Sequence, residues 1–164
     1  MEVNEKIIEE YIKTIKGWFY MTDISFTVPN NYSNIDILAY DHKNNIYYDL
    51  EIKYRSAYYM SKTNDDDLDK YINQMVRQER KNKIEEIVGK KIKPIKVFVT
   101  TKKYFGKTDE NEKRFIARIK NEGYKCQIWY FDYIIPELYN ALEKAGHYNT
   151  ELTQTIRLIK TYIK

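Results

Sequence analysis

The sequence is poor in cysteine and histidine, and this scarcity excludes several classes of protein. Its 164 residues include one cysteine, Cys126, and two histidines, His42 and His147. A single cysteine cannot form an internal disulfide and cannot by itself build a zinc site, which fits a protein of a reducing compartment. The two histidines lie far apart in unrelated contexts, and this disfavours a hydrolase that uses histidine as its base.

The sequence also lacks an apolar run of signal-peptide length, an internal repeat and a low-complexity linker. Its first ten residues, MEVNEKIIEE, carry several charges, so we expect a cytoplasmic protein that does not associate with a membrane. Hydrophobic residues make up 43% and charged residues 32% of the chain, as is typical of globular proteins. We predict a single domain over residues 1–164, with a core over about 3–131 and a C-terminal helical extension over about 132–164.

The pattern of apolar and turn-forming residues predicts the element order α-β-β-β-α-β-α-β-α, which belongs to the α/β class. The predicted elements are a helix over residues 3–16 ended by Gly17, strands over 18–28, 35–40 and 46–54, a helix from Asn64 to about Asn82, a short helix over 84–88, a strand over 95–100, a helix opened by a capping box of Asp109 and Glu112, a strand over 124–131, and one or two helices from Pro136 to Lys164.

Two acids and a lysine fall on two neighbouring predicted strands. Side chains alternate along a strand, so Glu51 and Lys53 project from the same face. The second and third strands can form a hairpin around a turn at residues 42–45. Asp36 and Glu51 are equally distant in sequence from the centre of that turn, so the hairpin would make them cross-strand neighbours.

Two neighbouring carboxylates repel each other, and burying them is costly unless a cation or a proton compensates. A divalent metal ion is the simplest compensation, and hard oxygen ligands without a nearby histidine or cysteine select Mg²⁺ or Mn²⁺. Such an ion could bind a phosphate oxygen, lower the pKa of a bound water and stabilise the charge that develops during phosphodiester hydrolysis. Lys53 would orient the water or neutralise the same charge.

The first helix can supply a third acid. Relative to the apolar stripe of that helix, Glu5 lies beside the stripe, Glu9 on its flank and Glu10 on the far side. We expect Glu5 to face inward and to act through a metal-bound water, although Glu9 remains an alternative. Acids near a helix N-terminus are also favoured by the helix dipole, whatever the function.

This arrangement resembles the PD-(D/E)xK nuclease superfamily, which includes restriction endonucleases and archaeal Holliday-junction resolvases. The resemblance covers about residues 3–100: a helix with an inward Glu, the lead-in GWFYMTDISF, a strand bearing Ile-Asp-Ile-Leu, a strand bearing Glu-Ile-Lys, then a helix and a strand. It implies a restriction endonuclease-like αβββαβ core with a mixed central sheet flanked by helices, plus C-terminal helices.

The resemblance also implies roles for individual residues. Asp36 and Glu51 would be metal ligands together with the backbone carbonyl of Ile52, Lys53 would be the catalytic lysine, and Glu5 the acid of the first helix. On the later helix, Tyr71, Gln74 and Gln78 correspond to the glutamine-bearing flank of many members. Two features depart from the family pattern: Ile35 stands where proline is usual, and Gln78 stands where the Gln-x-x-x-Tyr version has tyrosine.

Simpler interpretations compete with these roles. Asp followed later by Glu-x-Lys arises often by chance, and Glu51 with Lys53 could form the solvent face of an amphipathic strand. Asp36 argues against this, because it interrupts a strand that is otherwise apolar on both faces. Gln74 is a candidate substrate contact, but an ordinary polar helix residue is the commoner case. The segment with Tyr54, Arg55, Tyr58 and Tyr59 could stack on unpaired bases or flank a phosphate backbone, but the 17 tyrosines of the chain make a chance cluster plausible.

The leading prediction is a Mg²⁺- or Mn²⁺-dependent endonuclease that hydrolyses DNA phosphodiester bonds with a metal-activated water. The net charge of +4 is a mild bias that favours a polyanionic partner. The alternative is a nuclease-fold module that binds nucleic acid or a partner protein without cutting. Structure-specific cleavage, duplex cleavage and exonuclease action all stay open. A homodimer would suit duplex cutting, with the C-terminal helices as the candidate interface.

Overall fold

A computed structural model describes residues 2–55, 65–144 and 150–162, and it contains one mixed five-stranded sheet. The strands are β1 (Phe19–Val28), β2 (Asn31–Asp41), β3 (Ile46–Ile52), β4 (Ile95–Thr100) and β5 (Cys126–Tyr130). They lie side by side in chain order. The β1–β2 and β2–β3 pairs are antiparallel, and the β3–β4 and β4–β5 pairs are parallel. The predicted α/β class with a mixed sheet flanked by helices is confirmed.

Six α-helices in the described part of the chain surround the sheet. They are α1 (Val3–Tyr11), α2 (Asp65–Val76), α3 (Gln78–Val88), α4 (Glu110–Asn121), α5 (Phe131–Lys144) and α6 (Glu151–Tyr162). A π-helical turn over Ile12–Lys16 extends α1 to Gly17, whose φ of 64° is in the left-handed region that glycine adopts without steric cost. None of these helices has the length and apolar character needed to cross a membrane.

Two helix boundaries and one predicted helix cap differ from the prediction. The helix expected to run to Asn82 breaks at Arg77, whose ψ of 147° is extended, and the chain resumes as α3. The capping box of Asp109 is wrong, because its carboxylate pairs with Lys113 and makes no cap hydrogen bond. Helix α5 begins at Phe131, directly after β5, and contains Pro136 within it.

The break at Arg77 has a packing cause. The apolar face of α2 joins Phe98 of β4 in a core that also contains residues of α4. Ile84 of α3 instead packs with Ile24 and Phe26 of β1 in a separate core. One extended residue redirects the chain from the first core to the second. Because neither glycine nor proline stands there, composition did not indicate the break.

The two faces of the sheet bury different side chains. Ile8 and Ile12 beside α5 cover Ile37, Leu50 and other apolar residues of the central strands. Since side chains alternate along a strand, the neighbours of Ile37 and Leu50 point to the opposite face, where α2 and α3 pack. Asp36 of β2 and the two acids of β3, Asp49 and Glu51, therefore lie on the face that α1 does not cover. The predicted cap Asn64 and the tyrosines Tyr58 and Tyr59 lie outside the described residues.

Candidate active site

The register of the β2–β3 hairpin brings Asp36 next to the end of β3. Regular pairing runs from Asp41 opposite Ile46 to Ile37 opposite Leu50, which is the register predicted from the position of the turn. Beyond that pair, a hydrogen bond from a side chain replaces the backbone hydrogen bonds between the strands. Oδ2 of Asp36 accepts a hydrogen bond of 2.6 Å from the backbone N–H of Ile52.

Lys53 joins the two acids into one cluster. Its Nζ lies 2.9 Å from Oε1 of Glu51 and 3.7 Å from Oδ2 of Asp36. The lysine side chain is 26% exposed, whereas the side chains of Asp36 and Glu51 are 10% and 0% exposed. The structure thus brings together the three residues predicted from the sequence. Burial of both acids contradicts the interpretation that Glu51 belongs to a solvent-facing strand surface.

Glu51 is held from the other side by α2 and α3. Nε2 of Gln74 donates to Oε1 of Glu51 at 2.9 Å, and Nη1 of Arg80 donates to Oε2 at 2.7 Å. Gln74, which the sequence nominated as a substrate contact, therefore touches the carboxylate of the candidate site directly. Its amide and the guanidinium of Arg80 fix the orientation of both oxygens of Glu51.

Arg80 belongs to a second buried cluster that the sequence analysis missed. Its Nε and Nη2 donate to Asp49, and Nζ of Lys96 donates to the same carboxylate at 2.5 Å. Asp49 and Arg80 are fully buried, and Lys96 is 1% exposed. Two signals were present in the sequence: Asp49 shares the strand face of Glu51, and Lys96 interrupts the apolar run of β4. Arg80 had no local signal.

The pKa of Asp36 and the pKa of Asp49 are shifted in opposite directions. Burial, followed by the charge of Glu51, raises the pKa of Asp36 to about 7 despite the nearby Lys53. Burial would also raise the pKa of Asp49, but the charges of Arg80 and Lys96 outweigh it and lower that pKa. For Lys53, burial opposes protonation, yet the charges of Glu51 and Asp36 raise its pKa. The lysine is therefore a stable cation.

The structure does not bring Glu5 to this cluster. Glu5 takes part in a capping box at the start of α1, where its carboxylate accepts from the backbone N–H of Glu2 at 3.0 Å. Glu9 accepts from the hydroxyl of Tyr20, and the buried Glu10 accepts from Thr14. Helix α1 also covers the opposite face of the sheet. The apolar stripe of α1 is confirmed by the burial of Ile8 and Ile12, but Glu10, which was expected on the far side of the helix, is buried. Helical periodicity also cannot reveal which face of the sheet the helix covers.

Tyr54 and Arg55 follow the site on the chain. The ring of Tyr54 packs edge-on against Phe131 at 5.6 Å and remains 42% exposed. Nη2 of Arg55 donates to the hydroxyl of Tyr71 at 3.0 Å, and the carbonyl of Arg55 accepts from the hydroxyl of Thr101. These contacts anchor the end of β3 to α2 and to the end of β4.

The donor set can be compared with what Mg²⁺ requires. The described residues contain no group of three or more His, Cys, Asp or Glu side chains arranged to hold a metal. They do contain the adjacent carboxylates of Asp36 and Glu51, and Mg²⁺ sites commonly use one or two carboxylates with waters as the remaining ligands. Among the described residues, the contacts of Asp36 fall on Oδ2. A hard, oxygen-only pair of this kind fits Mg²⁺ or Mn²⁺.

Comparisons with known proteins show the fold of this chain. The sequence matches no protein-family model, and it matches no curated protein. Its structure is similar to the crystal structure of an XisH family protein from Nostoc punctiforme, with a TM-score of 0.50 and 12% identity over 81% of this chain and 94% of that one. AF1548, a protein of unknown function, gives a TM-score of 0.45 at 13% identity over 93% of this chain and 77% of that one. The likeness to the XisH family protein shows a shared fold.

Proposed function

We propose that this protein is a Mg²⁺-dependent endonuclease that hydrolyses DNA phosphodiester bonds at Asp36, Glu51 and Lys53. The observation that carries the proposal is the buried pair of carboxylates bridged by Lys53 at the end of the β2–β3 hairpin. The order of the core, α1, β1, β2, β3, α2, α3 and β4, agrees with the αβββαβ order that the resemblance to PD-(D/E)xK nucleases implies, except that two helices stand in place of the second one. Membership in that superfamily is part of the proposal.

Asp36 and Glu51 would hold the metal ion, and the carbonyl of Ile52 is the third ligand that the resemblance implies. When bound, the ion would supply Lewis-acid chemistry, polarising the phosphate and lowering the pKa of a water. Arg80 and Gln74 orient Glu51 through its two oxygens. Asp36 has the raised pKa expected of a carboxylate that lacks full compensation by protein cations.

Lys53 is the most exposed member of the trio, and its raised pKa keeps it protonated. Its ammonium group lies against both carboxylates, so it is placed to bind an oxygen of an incoming phosphate and to neutralise charge on that group. This role requires Nζ to exchange its contact with Glu51 for one with the substrate. The partial exposure of the side chain permits that exchange.

One observation favours a second function, a nuclease-fold module that binds nucleic acid or a partner without cutting. The two buried clusters contain equal numbers of acids and cations: Asp36, Asp49 and Glu51 against Lys53, Arg80 and Lys96. The protein can therefore balance the formal charge of these acids without a metal. Affinity for Mg²⁺ separates the two functions, because a non-cutting module has no need of metal binding that depends on Asp36 and Glu51.

Cleavage assays with single-stranded, duplex, flap and four-way-junction DNA in Mg²⁺ test the proposal. We expect the wild type to cut at least one substrate and Glu51→Gln to cut none, because the amide removes a charged ligand. Asp109→Asn is a matched control, since Asp109 is an exposed acid that pairs with Lys113. Circular dichroism should show that both variants are folded. Equal cutting by Glu51→Gln and the wild type would contradict the proposal.

A further inference from the structure

A cleft adjoins the candidate active site on the same side of the sheet. It encloses about 430 Å³, within the usual range for small-ligand sites. One wall is the turn between β1 and β2, and the other is the outer face of α2 and the residue that follows it. Tyr32 lies on the first wall, and Lys70, Asn73, Gln74 and Arg77 lie on the second.

The chemistry of this lining suits a polyanion. Its two charged residues, Lys70 and Arg77, are both cations, and no acid lines the cleft among the described residues. They lie seven positions apart with Asn73 and Gln74 between them, the spacing of one helix face. Arg77 pairs with Glu79 at 3.3 Å, but both partners are about one-third exposed. Exposed pairs of this kind are weak, so a phosphate can replace Glu79 as the partner.

The opposite wall offers an aromatic ring. Tyr32 is 74% exposed, and it stands on the hairpin wall across from the cations. An exposed ring beside a positively charged groove is the arrangement with which proteins stack the bases of single strands. A base in a duplex is already stacked on both faces, so only an unpaired base can use this ring.

Gln74 connects the cleft to the active site. Its side chain lines the cleft, and its Nε2 donates to Oε1 of Glu51 at 2.9 Å. Tyr32 and Asp36 lie on the same strand, four residues apart, which corresponds to about 13 Å at the rise of a β-strand. A nucleic-acid strand that lies in the cleft would therefore have its next phosphates close to the carboxylates of Asp36 and Glu51.

We propose that the cleft binds an unpaired DNA segment, with Lys70 and Arg77 contacting its phosphates and Tyr32 stacking on a base. The inference rests on the proposed function for its choice of DNA as the nucleic acid. It makes the substrate of the endonuclease a DNA with a single-stranded portion, such as a flap or a branch. An intact duplex would lack the unpaired base that the cleft accepts.

Binding of a labelled oligo(dT) strand, measured by fluorescence anisotropy in EDTA, tests this without requiring cleavage. We expect Tyr32→Ala to raise Kd by roughly 5- to 150-fold, from the usual contribution of one stacked base. Tyr32→Phe keeps the ring and should stay within about twofold of the wild type. Lys70→Gln and Arg77→Gln should each reduce the slope of log K against log salt by about 0.7. An equally basic control is Lys125→Gln, because Lys125 lines a different cleft, beside the start of β4.

Three outcomes would overturn the inference: unchanged affinity in Tyr32→Ala, an equal loss of affinity in Lys125→Gln and Lys70→Gln, or equal competition by a duplex of the same length. Thermal melts of every variant exclude unfolding as the cause of lost affinity. Because the assay contains no metal, it separates this inference from the proposed function. A protein that binds the strand through the cleft but cuts no DNA would overturn only the nuclease assignment. One that cuts DNA with unaltered affinity in the cleft variants would overturn only the cleft.

Discussion

Two clusters of buried charge lie next to each other on one face of the sheet, and they are compensated differently. Asp49 is held by two cations, Arg80 and Lys96, and its pKa is lowered. Among the described residues, Asp36 has one ion-pair partner, the shared and more distant ammonium of Lys53, and burial raises its pKa to about 7. We interpret the fully compensated cluster as a support, and the under-compensated one as the place where an external cation or phosphate is accommodated.

The largest expected effect is a loss of stability on disrupting the cluster of Asp49, Arg80 and Lys96. Replacing Arg80 by Ala leaves Asp49 and Glu51 buried without their main partner, so we expect unfolding free energy to fall by about 3–5 kcal/mol. Urea denaturation monitored by circular dichroism measures the change. Arg77→Ala, a substitution of a part-exposed arginine nearby, should cost far less. Similar losses in the two variants would mean that the buried cluster is not the special stabilising element.

The second effect concerns the under-compensated cluster and should appear in catalysis. If the proposed function holds, Lys53→Ala should lower the cleavage rate by roughly 10²- to 10³-fold, as expected for loss of one group that stabilises transition-state charge. Stability should change much less than in Arg80→Ala. Single-turnover cleavage in Mg²⁺ gives the rate, and Lys113→Ala provides an exposed-lysine control. A fall in unfolding free energy without a fall in cleavage rate would mean that Lys53 has a structural role, like Arg80 and Lys96.

The third prediction concerns pH, because Asp36 is uncharged in the fold at pH values where it is charged in the unfolded chain. Its pKa rises from an ordinary 3.8 to about 7 on folding, so the stability from the neutral form is fully present below 3.8 and is lost as pH rises through 7. Asp36→Asn lacks this loss, and its amide oxygen can still accept from the N–H of Ile52. Thermal melts from pH 4 to 8 should therefore show the wild type losing stability relative to Asp36→Asn.

Mg²⁺ should change the difference in melting temperature between the wild type and Asp36→Asn at pH 8. We expect the ion to raise the melting temperature of the wild type but not that of Asp36→Asn, because the amide is a poor ligand for a divalent cation. The size of the shift depends on the Mg²⁺ concentration relative to Kd. Equal shifts in both proteins would mean that the ion binds elsewhere.

The smallest effect is expected at Glu5, which contacts neither cluster because α1 covers the opposite face of the sheet. Glu5→Ala removes the capping box of α1, so unfolding free energy should fall by about 1 kcal/mol while DNA cleavage stays unchanged. Chemical denaturation and the single-turnover assay measure the two quantities. A rate loss as large as that of Lys53→Ala would restore Glu5 to the role that the resemblance implies.

The features that could be predicted from the sequence are those that depend on local periodicity. Strand alternation and the position of one turn were sufficient to place Asp36 beside Glu51, because a hairpin transmits its register over a short stretch of chain. What could not be predicted depended on long-range packing. Arg80 approaches Asp49 from 31 residues away and Lys96 from 47, and no pattern near either residue identifies its partner. The break at Arg77, which turns α3 toward that contact, was missed for the same reason.

These sequence separations also bear on how the chain folds. The β2–β3 hairpin closes a short loop and can form early, whereas Arg80 and Lys96 reach the acids only when α3 and β4 dock. During that interval the hairpin carries Asp36, Asp49 and Glu51 close together without their distant cations. Their mutual repulsion should oppose collapse, and protonation or divalent cations should relieve it. The crowding of acids that underlies the proposed metal site should therefore also slow folding until Arg80 and Lys96 reach those acids.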